Sequence, residues 1–390
     1  MTLSNIERII NDLKVIKERK EMFLPENLRP HFNEIIPKRR AILLYGPRGV
    51  GKTTYLLNAI KGKNIFYVSL DSPFVSAIPL FELGNAIFMA GYKGIVFDEV
   101  HFGNKWSLHL KALYDSFPDK IIWVSDSSSI VLRRGIGDLS RRFSKVHMPF
   151  LSLREYIYLR EGVELQKINP FEYKLEEVKK ILKTVDIMRL FNDYLKEGFR
   201  PIFLEGDYGE QVLNIIGKSI HYDIPFYISS ISDNHLRLMN AIIGFLASSD
   251  IPTINVERMC KEWGIGKVKL YELLYVMNET ELIEIVYRKG DKKAYSKGAK
   301  IFLADPSIYN VLEGSIGTMR EAFVFRSLKE MKKNVFSCKD ERDCDFICDG
   351  LKIEVGGKNK KIKRADYVIR DDVDVPALNI IPMWLLGMGW

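Results

Sequence analysis

The sequence predicts an α/β protein whose first part is a parallel five-stranded sheet covered by helices. Three observations predict this fold class: short apolar runs, helical stretches between them, and a glycine-rich loop directly after the first run. Strands that are buried on both faces form continuous apolar runs, and their alternation with helices makes them parallel. After the sheet we expect a helical lid, a three-helix module with a hairpin, and a small α/β tail.

Length and composition predict several domains. A chain of 390 residues exceeds one ordinary domain, and its hydrophobic content of 47% is enough for more than one core. Breaks in the pattern place the sheet at 1–150, the lid at 151–234, the three-helix module at 235–305 and the tail at 306–390. No apolar run suits a membrane span and the first residues lack a signal-peptide pattern, so we expect a cytoplasmic protein.

The net charge of +8 permits a nucleic-acid partner, although abundant Lys and Glu also suit the surface of a thermophile's protein. The four cysteines lack the spacing of a metal site, so we expect buried thiols. Composition therefore does not identify the partner.

An amphipathic helix opens the chain, with Ser4 as its cap and apolar residues at positions 6, 9, 10, 13 and 16. The segment before the first strand carries Arg29, His31 and Phe32. These side chains suit either packing beside a nucleotide base or an ordinary surface linker, and both interpretations stay open.

The first strand candidate, residues 41–45, leads into a complete G-x-x-x-x-G-K-[ST] phosphate loop (P-loop). The residues expected to bind a nucleotide are Gly46, Pro47, Arg48, Gly49, Val50, Gly51, Lys52, Thr53 and Thr54. The glycines let backbone N–H groups point at phosphates, and the following helix adds the positive end of its dipole. Lys52 is expected to reach the β- and γ-phosphates, and the Thr53 hydroxyl to ligate Mg²⁺.

Four further strand candidates follow, at 65–69, 94–98, 120–125 and 144–148. Asp98-Glu99 closes the third strand in the Walker B pattern, an apolar run that ends in two acids. Asp98 is expected to hold Mg²⁺, and Glu99 to act on the attacking water as the catalytic base.

Polar residues after the fourth and before the fifth strand are candidates for sensing the γ-phosphate. Ser127 is preferred over Ser125, although serines here also suit helix caps. Arg141 and Arg142 are candidates for neutralising charge on the phosphoryl group, within one subunit or from a neighbour. Arg133-Arg134 is the rival pair, and a solvated basic turn is the alternative for both.

Residues 152–250 have a helical pattern that suits a lid over the nucleotide, with Arg200 as a candidate lid contact. The chain resembles archaeal and bacterial P-loop ATPases of the AAA+ type over nearly its whole length. The resemblance rests on these segments: 46–53, 98–99, 127–129, 140–142, 151–155, 198–201, 345–346 and 353–355. It implies an AAA+/ASCE-type fold with ATP binding and hydrolysis.

Residues 235–305 have the pattern of a winged helix, with two helices, a Gly-rich turn, a recognition-helix candidate at 267–274 and two strands. The basic residues that could contact DNA phosphates are Lys267, Lys269, Arg288, Lys289, Lys292 and Lys293. Winged helices also serve as protein-binding modules, and that alternative stays open.

In the tail, the order of Glu321, Asp345 and Glu354 resembles the PD-(D/E)XK nuclease fold, in which acids hold Mg²⁺ and a lysine activates water. Glycine stands where that lysine is expected. Lys358 shares the face of Glu354 only if the strand continues through Gly356-Gly357. We therefore expect a nuclease-like fold and doubt that it cleaves.

The main hypothesis is a Mg²⁺-dependent ATPase coupled to binding of double-stranded DNA, with ATP or ADP and Mg²⁺ as ligands. Two alternatives stay open: an ATP-regulated nuclease, and a nucleotide-dependent switch that binds a protein. An arginine that acts from a neighbour would require a homo-oligomer.

Overall fold

We describe the fold from a computed structural model, in which the described residues are 3–35, 39–127, 139–228, 230–250, 255–290, 299–338, 343–358 and 365–390. The chain divides into two compact units. Unit 1 comprises residues 1–149 and 222–229, and unit 2 comprises residues 150–221 and 230–390. The described helices include none with the length and apolar character that a membrane crossing requires.

Unit 1 is built on a parallel five-stranded sheet of strand order β2-β3-β4-β1-β5. Its strands are β1 (Ala41–Tyr45), β2 (Ile65–Ser69), β3 (Gly94–Asp98), β4 (Ile121–Asp126) and β5 (Ser144–His147). The predicted α/β P-loop fold is therefore confirmed. β4 lies between β1 and β3. The phosphate loop, which follows β1, and Asp98, the last residue of β3, therefore lie on either side of β4 at the same edge of the sheet.

The helices of unit 1 connect and flank these strands. They are α1 (Leu3–Met22), α2 (Lys52–Ile60), α3 (Pro73–Ser76), α4 (Leu80–Met89) and α5 (Trp106–Ser116). Side chains of β1 and β3 are almost fully buried, as expected of strands that are covered on both faces. Residues 222–229 add one helical turn, Ile224–Tyr227, from a distant part of the chain.

Unit 2 contains most of the remaining helices and a second sheet. Its helices are α6 (Leu153–Glu161), α7 (Leu175–Thr184), α8 (Ile187–Glu197), α9 (Tyr208–Lys218), α10 (Asp233–Ser248), α11 (Val256–Trp263), α12 (Lys267–Glu279), α13 (Ser307–Val311), α14 (Ile316–Glu330) and α15 (Met383–Leu386). Ser152 and Glu155 form a capping box at the start of α6, so this part of the resemblance is a helix start.

The strands of unit 2 form a hairpin and a mixed sheet. They are β6 (Ile283–Val286), β7 (Lys300–Leu303), β8 (Val335–Ser337), β9 (Phe346–Cys348), β10 (Leu351–Gly356), β11 (Tyr367–Arg370) and β12 (Ile380–Pro382). β6 and β7 pair antiparallel, and the order of the larger sheet is β12-β11-β10-β9-β8. β10, β11 and β12 run parallel, whereas β8 and β9 pair antiparallel.

A buried ionic cluster lies in the core of unit 2. The Arg326 side chain is 1% exposed and is paired with three carboxylates, those of Glu281, Glu284 and Glu330. Burial of a charge this deep is tolerated only with such partners. Two cysteines of this unit, Cys338 and Cys344, are neighbours in space with Cα atoms 5.8 Å apart, and the Cys348 thiol is buried as expected.

Candidate functional site

The phosphate loop approaches its neighbours closely and has a backbone conformation that suits glycine. Gly46, Gly49 and Gly51 have φ values of 153°, 81° and 96°. A Cβ atom on Gly46 would collide with the carbonyl oxygen of Met148. Gly51 is the residue before α2, so the loop leads directly into this helix. The N-terminus of α2 is the helix end that favours an anion such as phosphate.

Lys52 lies inside the loop from which it extends. Its ammonium donates to the carbonyl oxygens of Gly46 and Pro47, at 2.8 Å each. Burial lowers the pKa of Lys52, against the opposing charge of Glu99. The lysine is therefore held at the loop by two neutral acceptors, and a phosphate offers it a stronger, charged partner.

Arg29 supports the loop from the segment that precedes β1. Its guanidinium is buried and donates to the carbonyl oxygens of Val50, at 2.7 Å, and Pro149, at 3.0 Å. Nearby, Phe32 packs edge-on against Tyr55 of α2, with ring centroids 5.3 Å apart. This segment is thus part of the loop's scaffold and not an ordinary surface linker, and its packing beside a nucleotide base stays a prediction.

Asp98 is surrounded by hydroxyl groups. Thr53 Oγ1 and the Tyr67 hydroxyl each donate to its Oδ2 at 2.7 Å, and the Ser125 hydroxyl donates to its Oδ1. The two predicted magnesium ligands, Thr53 and Asp98, are therefore in direct contact. Mg²⁺ prefers oxygen ligands and usually takes one or two from the protein and the rest from phosphate and water, so this pair fits the ion.

Glu99 has a strained backbone and lies beside the phosphate loop. Its φ and ψ are both 54°, in the left-handed region that a non-glycine residue rarely adopts. Its carboxylate Oε1 lies 3.5 Å from Arg48 Nη1. Burial raises the pKa of Glu99, and the charges of Arg48 and Lys52 oppose this shift. A carboxylate with a raised pKa in such a place has the character expected of a catalytic base.

Sequence reasoning missed a second polar layer next to Glu99. Asp126, at the end of β4, accepts from the backbone N–H of His101 at 3.0 Å and from the Tyr227 hydroxyl at 2.7 Å, and its Oδ2 lies 2.9 Å from His101 Nδ1. Burial lowers the pKa of His101, but the charge and hydrogen bond of Asp126 together with the charges of Glu99 and Asp223 outweigh it, so the pKa is raised overall. An acid that directly follows a buried strand was the available signal for Asp126.

The predicted phosphate sensors have different surroundings. Ser125 contacts Asp98, whereas Ser127 donates to Asp223 at 3.3 Å. Arg142 forms two 2.8 Å hydrogen bonds with Asp115 at the end of α5, and Arg141 is exposed. Three parts of the prediction lie outside the described residues, namely Ser128, Ser129 and the pair Arg133-Arg134.

Arg200, the candidate lid contact, belongs to the core of unit 2. Its buried guanidinium is paired with Asp305 and lies 4.8 Å from the centre of the Phe150 ring. Burial lowers the pKa of Arg200 to about 10. The structure gives this arginine a role in packing unit 2.

The candidate DNA-binding residues lie on and after α12 in unit 2. Lys267 Nζ is 3.2 Å from Glu257 and Lys269 Nζ is 2.7 Å from Glu272. The backbone of Arg288 pairs with Ser337 of β8 in an isolated β-bridge, and the Lys289 side chain is exposed. Lys292 and Lys293 lie outside the described residues.

The nuclease-like acids of the tail surround a lysine. Lys300 Nζ is 2.6 Å from Glu321 and 3.8 Å from Asp345, and all three side chains are largely buried. β10 ends at Gly356, so strand alternation does not carry Lys358 to the face of Glu354. Lys358 instead lines an open cavity of about 500 Å³ together with Glu321. Lys300, not Lys358, lies between the acids: its ammonium supplies beside Glu321 and Asp345 the positive charge that a metal ion would supply in a nuclease.

Comparisons with known proteins agree with the site in unit 1. Residues 38–157 match the AAA domain family. An uncharacterized protein of Methanocaldococcus jannaschii is 27% identical over 355 residues, which cover 84% of this chain and 71% of the relative.

Among solved structures, the Walker-type ATPase PABY2304 of Pyrococcus abyssi aligns with a TM-score of 0.39 and 16% identity, over 73% of this chain and 95% of its own. RuvB of Thermotoga maritima aligns with a TM-score of 0.31 and 15% identity, over 80% of this chain and 95% of its own. ORC1 of Aeropyrum pernix, solved in complex with DNA, aligns with a TM-score of 0.30 and 12% identity, over 77% of this chain and 91% of its own. These low scores carry no conclusion, whereas the AAA domain match and the loop geometry support ATP binding and hydrolysis.

Proposed function

We propose that this protein is a Mg²⁺-dependent ATPase whose nucleotide site lies at the carboxyl edge of the sheet in unit 1. The observation that carries the proposal is the 2.7 Å hydrogen bond between Thr53 of the phosphate loop and Asp98 at the end of β3. It joins the two halves of the expected magnesium site across the intervening strand. The AAA domain match over residues 38–157 supports the same activity.

The residues of unit 1 divide the work of hydrolysis among them. The loop N–H groups and Lys52 would bind the β- and γ-phosphates, and Thr53 and Asp98 would hold Mg²⁺. When bound, the ion neutralises charge that develops on the phosphate oxygens. Glu99 accepts a proton from the attacking water, and burial, which raises its pKa, makes its carboxylate a stronger base.

We further propose that the nucleotide state is coupled to binding of double-stranded DNA by unit 2. Support comes from exposed basic residues on a three-helix and hairpin arrangement typical of winged helices, among them Lys267 and Lys289. The Lys289 ammonium is exposed and that of Lys267 has only a surface ion pair with Glu257, so both can bind a DNA phosphate at little cost. The tail is proposed to have a nuclease-like fold without cleavage, because Lys300 takes the place of the metal charge.

The test is the ATPase rate of the full chain with Mg²⁺ or EDTA, with and without duplex DNA. Turnover should require Mg²⁺ and should fall by at least about a hundredfold in Lys52→Ala. Lys61→Ala, which removes an exposed lysine after α2, is the matched control. An unchanged rate in Lys52→Ala would overturn the ATPase assignment.

The proposed binding of double-stranded DNA is tested by measuring the DNA affinity at two salt concentrations. The pair Lys267→Ala/Lys289→Ala should lower the salt slope by about two units, whereas the exposed control pair Lys179→Ala/Lys180→Ala should not. If no DNA binding is detectable at low salt, the DNA-binding proposal fails and the alternative of a switch that binds a protein is favoured.

A further inference from the structure

An ion pair ties the phosphate loop to a segment from far along the chain. Arg48 of the loop donates to both carboxylate oxygens of Asp223, from Nε at 2.9 Å and from Nη2 at 2.7 Å. The Arg48 side chain is 14% exposed and that of Asp223 only 2%. A two-pronged, buried pair of this kind is strong and is sensitive to geometry.

The groups around Asp223 form a binding site for an anion. Besides Arg48, the Ser127 hydroxyl donates to its Oδ2 at 3.3 Å, and His101 Nε2 lies 3.8 Å from its Oδ1. A guanidinium, a hydroxyl and an imidazole also suit the oxygens of a terminal phosphate. Ser127 is the residue that the sequence predicts as the phosphate sensor.

Arg48 is already shared between two carboxylates. Its Nη1 is 3.5 Å from Glu99 Oε1, while the other side of the guanidinium contacts Asp223. Because Arg48 is part of the loop that wraps the phosphates, a γ-phosphate brings a third anion to the same guanidinium. A doubly charged phosphoryl group competes well with a single carboxylate for this donor.

The segment that carries Asp223 belongs to unit 1 but is continuous with unit 2 on both sides. Residues 222–229 fold with unit 1, whereas the chain before and after them folds with unit 2. Three contacts attach this segment to the edge of the sheet. They are the pair of Asp223 with Arg48, the hydrogen bond from the Tyr227 hydroxyl to Asp126, and the edge-on contact of Phe226 with Phe102 at 5.0 Å. Loss of the Arg48 pair removes the strongest of these attachments.

We propose that Asp223 occupies Arg48 in the absence of nucleotide, and that the γ-phosphate of ATP takes this arginine over and loosens residues 222–228. ADP, which lacks that phosphate, leaves the pair intact. This inference rests on the proposed ATPase function and specifies how the site distinguishes a nucleoside triphosphate from a diphosphate. Within the stretch predicted as a lid, 151–234, it assigns the contact with the nucleotide site to an acid, Asp223, where Arg200 was the expectation.

The first experiment compares nucleotide affinities of the full chain by calorimetry. Asp223→Asn removes the competing charge, so the dissociation constant for a non-hydrolysable ATP analogue should fall by about tenfold, while that for ADP should change by less than about twofold. Asp119→Asn, which neutralises a 74% exposed acid of unit 1, should change neither. An equal gain for both nucleotides, or none for either, would overturn the proposal.

The second experiment needs no variant and decides the matter if Asp223→Asn does not fold. Hydrogen exchange of residues 222–228 in the wild-type chain should speed up on binding the ATP analogue and stay slow with ADP. Equal exchange in both complexes would refute the switch while leaving the ATPase function intact. If the wild-type chain binds neither nucleotide, the proposed function fails, and this inference fails with it.

Discussion

The substitution Glu99→Gln separates catalysis from binding at the candidate site. The side chain keeps its size and can still accept from Arg48, but it can no longer take a proton from water. Loss of a general base costs about 10²–10⁴ in rate, which corresponds to about 3–5 kcal/mol of transition-state stabilisation. We therefore expect turnover of Glu99→Gln to fall by a factor in this range.

The cost to folding should be much smaller. Arg48 keeps its bidentate pair with Asp223, and the amide oxygen of the substituted side chain remains a neutral acceptor near it. We expect a loss of about 1 kcal/mol, which shifts Tm by a few degrees in a unit of this size. Removing one negative charge from the phosphate side should also leave ATP affinity equal or higher.

The assay is steady-state turnover with an independent measurement of ATP binding. Glu82→Gln, at an exposed acid in the first turn of α4, is the matched control and should behave as wild type. Turnover of Glu99→Gln within about threefold of wild type, with ATP binding intact, would remove Glu99 from the role of base. A rate lost together with binding would mean that Glu99 supports the loop instead.

Two further predictions concern the ionic networks. The raised pKa of His101 means that its pair with Asp126 stabilises the fold fully below the ordinary histidine pKa of 6.5 and loses that contribution as pH rises through the folded value. The Tm of unit 1 should therefore fall as pH rises above about 6.5, and less so in His101→Gln; parallel profiles would contradict this. In unit 2, Lys300→Met should cost about 3–5 kcal/mol in urea unfolding because it leaves Glu321 and Asp345 as buried acids without their ammonium. Adding Glu321→Gln should recover part of the loss, and a stable single variant would show that Lys300 does not neutralise these acids.

The sequence was a good guide to the sheet of unit 1 and to the loop and strand ends that carry its polar residues. Strand periodicity and the P-loop spacing are local signals, and a parallel sheet brings the carboxyl ends of its strands to one edge. The meeting of Thr53 with Asp98 follows from these two facts and the strand order. Ser125 and Ser127 could be placed near it for the same reason.

Three other polar contacts could not be predicted in the same way. Tyr67 lies within an apolar strand, where tyrosine is an ordinary core residue, and only its hydroxyl bond to Asp98 gives it a role. Asp223 lies 175 residues beyond Arg48, in a stretch whose helical pattern gives no sign that it folds with unit 1. Lys300 sits in a predicted strand of the three-helix module, and its pairing with Glu321 of the tail depends on how α14 packs beside β7.

Charge balance explains why one arginine is central to the site in unit 1. Among the described side chains that meet there, Asp98 is stabilised by hydroxyl groups and Asp126 by His101, so neither needs Arg48. Glu99 and Asp223 both face Arg48, and the lysine of the loop is bonded to carbonyls. A triphosphate therefore enters a site in which Glu99 and Asp223 share one guanidinium, and any gain in the phosphate contacts of Arg48 is a loss for one of these two carboxylates. Since Glu99 lies farther from the guanidinium and has a raised pKa, whereas Asp223 holds two short hydrogen bonds, the transfer of Arg48 changes Asp223 the most, and the consequence is carried by the segment to which Asp223 belongs.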